Sequence, residues 1–177
     1  RGFFTAVRIK WFMLFSNVGI AWFASVYSAI LVFTARFLRK TSIIIVGGAD
    51  LITDSHLGYG LLLSPWKRPF IRYALRKATY VIPTSDYLRR ASLEVGDYEG
   101  DNLSTVSPGL DSNFWRPGVQ KENMVLTVAK CTTKDRILIK GVDLLLQVAK
   151  EISDISFQII GVEENFLLRY GFSISEN

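Results

Sequence analysis

The sequence is poor in the side chains that most often carry chemistry. Its 177 residues include one cysteine, Cys131, and one histidine, His56. A single cysteine excludes a disulfide framework within the chain, and the pair is too small for a zinc site built from Cys and His. A serine- or thiol-protease triad would have to use His56, and no G-x-S-x-G nucleophile elbow accompanies it. Walker-type loops and the G-x-G-x-x-G fingerprint are also missing, which argues against kinase, GTPase and dehydrogenase chemistry. No cleavable signal peptide, short repeat or low-complexity segment is recognisable. The low cysteine content fits a reducing compartment.

What is present is largely apolar. Hydrophobic residues make up 49%, aromatic residues 13% and charged residues 21%, a balance that favours a buried core over disorder. The net charge of +5 and pI of about 9.4 suit anionic partners such as sugar nucleotides, acidic membrane surfaces or nucleic acid. Trp11 to Ala35 carries no formal charge and has basic residues on both sides; a run of that length is sufficient to cross a bilayer. Asn17-Val18-Gly19 breaks it with turn-forming residues, and Ser16, Ser25, Ser28 and Thr34 scatter polarity through it. The favoured reading is therefore a helix end, a buried strand and a second helix of an α/β core.

Along the chain, Phe3 to Phe15 reads as a helix, Gly19 to Phe23 as a strand and Val26 to Arg39 as a helix. Ile43 to Val46 has the β-branched character of a strand buried on both faces. A polar loop from Ala49 to about Ser64 follows, then a helix from Phe70 to Lys77 and a strand over Tyr80-Val81-Ile82-Pro83. Thr84-Ser85-Asp86 offers N-caps to a helix over Tyr87 to Val95. Leu103 to Val106 reads as a further strand. Ser107 to Asn123, with Pro108, Gly109, Pro117 and Gly118, reads as a linker. The rhythm then restarts with a strand from Met124 to Ala129, a helix from Val142 to Ile152 and a strand from Phe157 to Ile160. Strands alternating with helices predict parallel sheets, and the restart predicts a second sheet.

Ligands of open α/β sheets bind beyond the carboxyl ends of the strands, which singles out four loops. Gly47-Gly48-Ala49-Asp50 can bring backbone N–H groups close to an oxyanion or hydroxyl, or is a plain tight turn. His56, in the loop from Thr53 to Gly60, can bind an acceptor hydroxyl or act as acid/base, or is a surface histidine without a role. Lys130 to Gly141 is a loop with four basic residues leading to a helix N-terminus, a combination suited to a diphosphate. Gly161-Val162-Glu163-Glu164 follows the last predicted strand and would line a nucleotide pocket.

Several segments resemble one enzyme family, in its order. Ser107-Pro108-Gly109-Leu110-Asp111-Ser112-Asn113-Phe114-Trp115-Arg116-Pro117 resembles the N-G-V-D-x-x-x-F-x-P linker of retaining GT-B glycosyltransferases of group 1 (family 4). Lys140-Gly141-Val142-Asp143-Leu144-Leu145-Leu146 is similar to its K-G-V-D-L-L-L helix start. Ile82-Pro83-Thr84-Ser85-Asp86-Tyr87-Leu88-Arg89-Arg90 resembles its V-I-x-x-S-x-x-L-R-R segment, and Gly47-Gly48-Ala49-Asp50 a G-G-x-D form found in archaeal and bacterial branches.

The resemblance implies a GT-B type α/β fold, with parts of two Rossmann-like domains joined by a Pro/Gly linker. Residues 1–107 would be the C-terminal part of the acceptor-side domain, 108–122 the linker and 123–177 the start of the donor domain. It also implies transfer of a sugar, with retention, from a UDP-, GDP- or other nucleotide-sugar to a glycan or lipid-linked acceptor. Donor contacts would come from Lys130, Lys140, Gly141 and Gly161, with Gly47, Gly48 and Asp50 on the acceptor side. Lys130 stands where many members carry the arginine of V-G-R-L, with extra loop between it and Lys140. The histidine that many members carry at the Gly47-Gly48 position is missing, and His56 would have to compensate. No cofactor, metal or nucleic acid is implied. A cytoplasmic location is, with peripheral contact at the inner face of a membrane. The E-x7-E donor-sugar segment would lie past Asn177 and the glycine-rich first loop before Arg1, so this piece is expected to be inactive alone. Other readings are a GT-B epimerase or phosphorylase, a non-catalytic GT-B-like subunit, and a protein embedded in the membrane through Trp11 to Ala35.

Overall fold

In a computed structural model, residues 2–116, 118 and 122–169 are described. The chain divides into two compact units, Arg1–Leu110 and Asp111–Asn177.

The first unit begins with α1 (Gly2–Phe15), β1 (Val18–Trp22), α2 (Val26–Phe37) and β2 (Thr41–Val46). After a loop with 3-10 turns at Leu61–Leu63 and Pro65–Lys67 come α3 (Arg68–Lys77), β3 (Tyr80–Pro83) and α4 (Asp86–Gly96). Local chemistry explains the boundaries. Ser25 caps α2 in a reciprocal capping box with Ser28, and Ser85 caps α4 by accepting from Leu88 N–H. Proline in the first turn of α3 costs no internal hydrogen bond. The uncharged run Trp11 to Ala35 is thereby split into a helix end, β1 and most of α2, and among the described residues no helix is long and apolar enough to cross a membrane.

The three strands are parallel in the order β1-β2-β3, with Ile20 opposite Ile43 and Ile44 opposite Val81. A parallel sheet that adds each strand on the same side, through right-handed crossovers, sets all its helices on one face. Burial alternates accordingly. Ser42, Ile44 and Val46 are buried beneath the helices, whereas Ile43 and Ile45 are half-buried and Ile20 and Trp22 are exposed on the other face. The expectation that β2 is buried on both faces is corrected by this one-sided winding. The core gathers Val32, Ile44, Ile71, Leu75 and Val81. Gly19 faces the helices, where a Cβ would come within 2.7 Å of Met13 Sδ.

Leu103 to Val106 is a single bridge rather than the expected strand. Val81 N–H donates to Asn102 O and accepts Ser104 N–H through its own carbonyl, and Val106 N–H donates to Pro83 O. The next rung would need an N–H from Pro83, which has none, so pairing stops at Val81–Leu103.

The second unit holds β4 (Met124–Val128), α5 (Lys134–Ile139), α6 (Val142–Glu151), β5 (Ser156–Ile160) and α7 (Glu164–Arg169). Strands β4 and β5 are parallel, with Leu126 opposite Gln158, and form a sheet separate from the first. Its core is Ala129, Cys131, Ile137, Val142 and Leu167. At the joint, Asp111 Oδ1 accepts from Asn113 N–H at 2.9 Å and Phe114 N–H at 3.3 Å, so the D-S-N-F part of the linker motif is an aspartate turn. Pro117 of that motif and residues 119–121 of the expected linker lie outside the described residues, as does 170–177.

Candidate functional site

At the carboxyl ends of β4 and β5 the chain forms a cavity of about 650 Å³, lined by Lys130, Cys131, Thr132, Gly161, Val162, Glu163 and Phe166. Its floor is two crossing loops. Ala129 N–H donates to Ile160 O at 2.8 Å and Cys131 N–H to Gly161 O at 3.2 Å, extending the ladder past the ends of both strands. Gly161 permits the crossing: its φ is 95°, and a Cβ there would stand 3.0 Å from Ala129 O and 3.3 Å from Lys130 Cα. Two of the expected donor residues, Lys130 and Gly161, are thus brought together.

The other two, Lys140 and Gly141, lie where two helices meet. The stretch Lys130 to Gly141, expected as loop, contains α5, whose N-cap Thr133 accepts from Arg136 N–H and whose first turn holds Asp135. Lys140 is the C-cap of α5 rather than the first residue of the next helix, and Gly141, at φ 66°, is the N-cap of α6. The Lys140 side chain is exposed. Its charge and that of Arg136 act on the Cys131 thiol in the cavity wall, favouring the thiolate, but burial dominates and pushes that thiol above its ordinary value. Cys131 Sγ also lies 3.5 Å from Arg136 O. Among the described residues no ion pair engages Lys130 or Lys140. The cavity therefore combines an unpaired ammonium with the carboxylate of Glu163, an acceptor suited to hydroxyls. Phe166 adds an apolar wall.

The corresponding end of the first sheet is built differently. Asp50 is fully buried, and both its oxygens are used: Ala24 N–H donates to Oδ2 at 2.8 Å and Gly48 N–H to Oδ1 at 2.8 Å. The Gly48 N–H, expected to be free for a ligand, is occupied by this carboxylate. Gly47 is the seat of an aromatic ring, because a Cβ there would be 2.5 Å from Phe23 Cε1. Phe23 itself has a φ of 76°, an outlier for a bulky residue. The loop is stapled from inside rather than left open.

His56 is exposed at the tip of a short turn closed by paired hydrogen bonds between Asp54 and Tyr59, at 2.8 and 2.9 Å. Asp54 Oδ1 holds the turn by accepting the His56 and Leu57 N–H groups. The imidazole borders neither of the two apolar grooves of the first unit. Among the described residues no group of His, Cys, Asp and Glu could hold a metal ion.

Sequence reasoning named the Lys130 and Gly161 loops but not Phe166, because α7 has no periodicity long enough to read. It also missed α5, although Thr133 followed by Asp135 and an apolar triplet is an N-cap signal. Compared with known proteins, the chain matches no family model and no curated relative.

Proposed function

We propose that the cavity beyond β4 and β5 binds the diphosphate of a nucleotide-sugar, and that the protein serves retaining glycosyl transfer of the GT-B type. The observation that carries this reading is the convergence of Lys130 and Gly161 at the ligand end of a parallel pair, with Lys140 near enough to act electrostatically on Cys131. In the proposed reaction the bond from the anomeric carbon to the diphosphate oxygen breaks. A bond to an acceptor hydroxyl forms on the same face of the sugar, and the hydroxyl proton is released. Negative charge builds on the departing diphosphate, where two ammonium groups lower the barrier without a metal ion. Glu163 would hold donor hydroxyls, and His56 is kept as an acid/base candidate on the acceptor side. The acceptor would be a glycan or a lipid-linked sugar.

Calorimetric titration with UDP, GDP and ADP tests the site. At least one should bind, and Lys140→Ala should weaken it by at least ~1.5 kcal/mol, about ten-fold, the loss expected for a charge-assisted hydrogen bond. Equal affinity in the variant would remove Lys140 from the site, and no binding of any diphosphate would remove the function.

A second reading, a GT-B-like subunit without catalysis, is favoured by the internal use of Asp50 and the Gly48 N–H, which withdraws both from the expected acceptor loop. Release of sugar from a bound UDP-, GDP- or ADP-sugar would rule that reading out.

A further inference from the structure

We propose that the helical face of the first unit, formed by α1, α2 and α3, docks on an anionic lipid bilayer. This inference is independent of the diphosphate site, which lies in the other unit.

The argument begins with α1. A helix that is apolar all round belongs in a core, yet in α1 only Met13 is buried. Phe3 is 76% exposed, Trp11 60% and Phe15 75%. The helix is nevertheless fixed in place: Lys40 Nζ donates to the carbonyls of Met13 and Leu14 at 2.7 and 2.8 Å, closing its C-terminus. The apolar surface continues onto its neighbours. A groove of about 460 Å³ runs between α1 and α2, walled by Trp11, Leu14, Phe33 and Phe37. A second, of about 410 Å³, carries the surface to Phe70 and Tyr73 of α3, and Lys10 lines both. Contiguous apolar surface on this scale marks an interaction site.

Charge identifies the occupant. No Asp or Glu precedes Asp50 in the sequence, and none occurs in α3. The charged groups of the three helices are all cations: Arg8 and Lys10 on α1, Arg36 on α2, and Arg68, Arg72, Arg76 and Lys77 on α3. Among the described residues only Arg72 and Arg76 of these are ion-paired, both with Asp97. Cations also sit beside the aromatic rings, with Arg8 6.0 Å from the Phe12 ring and Lys67 5.8 Å from that of Trp66. Aromatic and aliphatic residues mixed with lysine and arginine, with no carboxylate on the three helices and Asp97 beside α3 as the acid paired with them, form the composition of a surface that lies in the headgroup region of acidic lipids. A second copy of this face would set cation against cation. The exposed strand face on the far side of the sheet is apolar too, but its strands carry no charge and give no such indication.

The test is sedimentation of the 177-residue protein with vesicles of phosphatidylcholine alone and of equal parts phosphatidylcholine and phosphatidylglycerol. Binding is expected to the acidic vesicles, with a blue shift of tryptophan emission, and little to the neutral ones. Arg8→Gln combined with Lys10→Gln changes only exposed charges and should weaken binding by about five-fold per charge removed. Trp11→Ser combined with Phe37→Ser should weaken it while preserving the circular-dichroism spectrum. Retention in the supernatant with both vesicles would overturn the proposal, as would binding indifferent to lipid charge or to the Arg8/Lys10 change. So would self-association that the Trp11/Phe37 variant converts to monomer without any vesicle binding.

Discussion

The two units differ in what their sheets do with polar side chains at the carboxyl ends of the strands. In the first unit, Ser28, Thr34, Ser42, Asp50 and Ser92 are buried, and each is hydrogen-bonded within the fold. The serines and Thr34 mostly bond to carbonyls of their own helices, and Ser42 ties β2 to Thr79 just ahead of β3. In the second unit the core is small and apolar, and Lys130 and Glu163 keep their charges beyond the carboxyl ends of the strands. A polar group can stabilise a fold by satisfying its neighbours or remain available to a ligand: the buried polar side chains of the first unit take the first role, and the charged residues lining the cavity of the second are left for the other.

The largest effect should come from undoing the inward use. Asp50→Ala leaves the buried N–H groups of Ala24 and Gly48 without an acceptor and should destabilise the first unit by about 3 kcal/mol, read as a lower urea midpoint. Asp50→Asn keeps one acceptor oxygen and should lose about half as much. If Asp50→Ala left the midpoint unchanged, the contrast between the units would collapse.

A smaller effect is expected at Gly161, where the second unit depends on backbone shape. Gly161→Ala forces a side chain into a left-handed conformation and against Ala129 O, which should cost about 2 kcal/mol. The displaced loop should also weaken diphosphate binding, measurable in the same titration as Lys140→Ala. Unchanged binding would detach Gly161 from the site.

The smallest effects are in pH dependence, and both have the same sign. Burial, with Asp101 as a lesser cause, pushes the Tyr98 phenol from 10.0 up to about 12. Burial raises the Cys131 thiol as well. For each group the unfolded chain loses its proton first, so the stabilising contribution is complete below the ordinary value and falls as pH rises toward the folded one. For Tyr98 that window runs from 10.0 to about 12; for Cys131 it opens above 9.0. Denaturation curves followed upward from neutral pH should show decline in these windows. Tyr98→Phe should flatten the upper one, and Cys131→Ala the lower.

Much of this architecture is legible in the sequence because it rests on local rules. Ser85 before an apolar periodic run announces α4, and the β-branched segment from Ile43 to Val46 announces β2. The expected boundaries of α1 and β3 differ from those observed by one residue or none. The failures occur where a distant residue decides. Gly47-Gly48-Ala49-Asp50 reads as an open ligand loop until Ala24, 26 residues away, is seen to share the Asp50 carboxylate. The strand expected at Leu103 to Val106 depends on the partner supplying its rungs, and Pro83 cannot. Burial of β2 on both faces follows from its composition alone, whereas its actual exposure follows from the direction in which the sheet grows. At the site, Lys130 and Gly161 are readable as residues following strands. Lys140 is shifted in role by a six-residue helix that only the Thr133 cap betrays.

The one-sided winding of the first sheet also sets a rhythm of mutational tolerance. Positions that point under the helices, Gly19, Ser42, Ile44, Val46 and Val81, should reject nearly every replacement, while their immediate neighbours Ile20, Ile43 and Tyr80 should accept serine or lysine. A saturation scan along these three strands would therefore beat with a period of two, loud on one side of the pleat and quiet on the other.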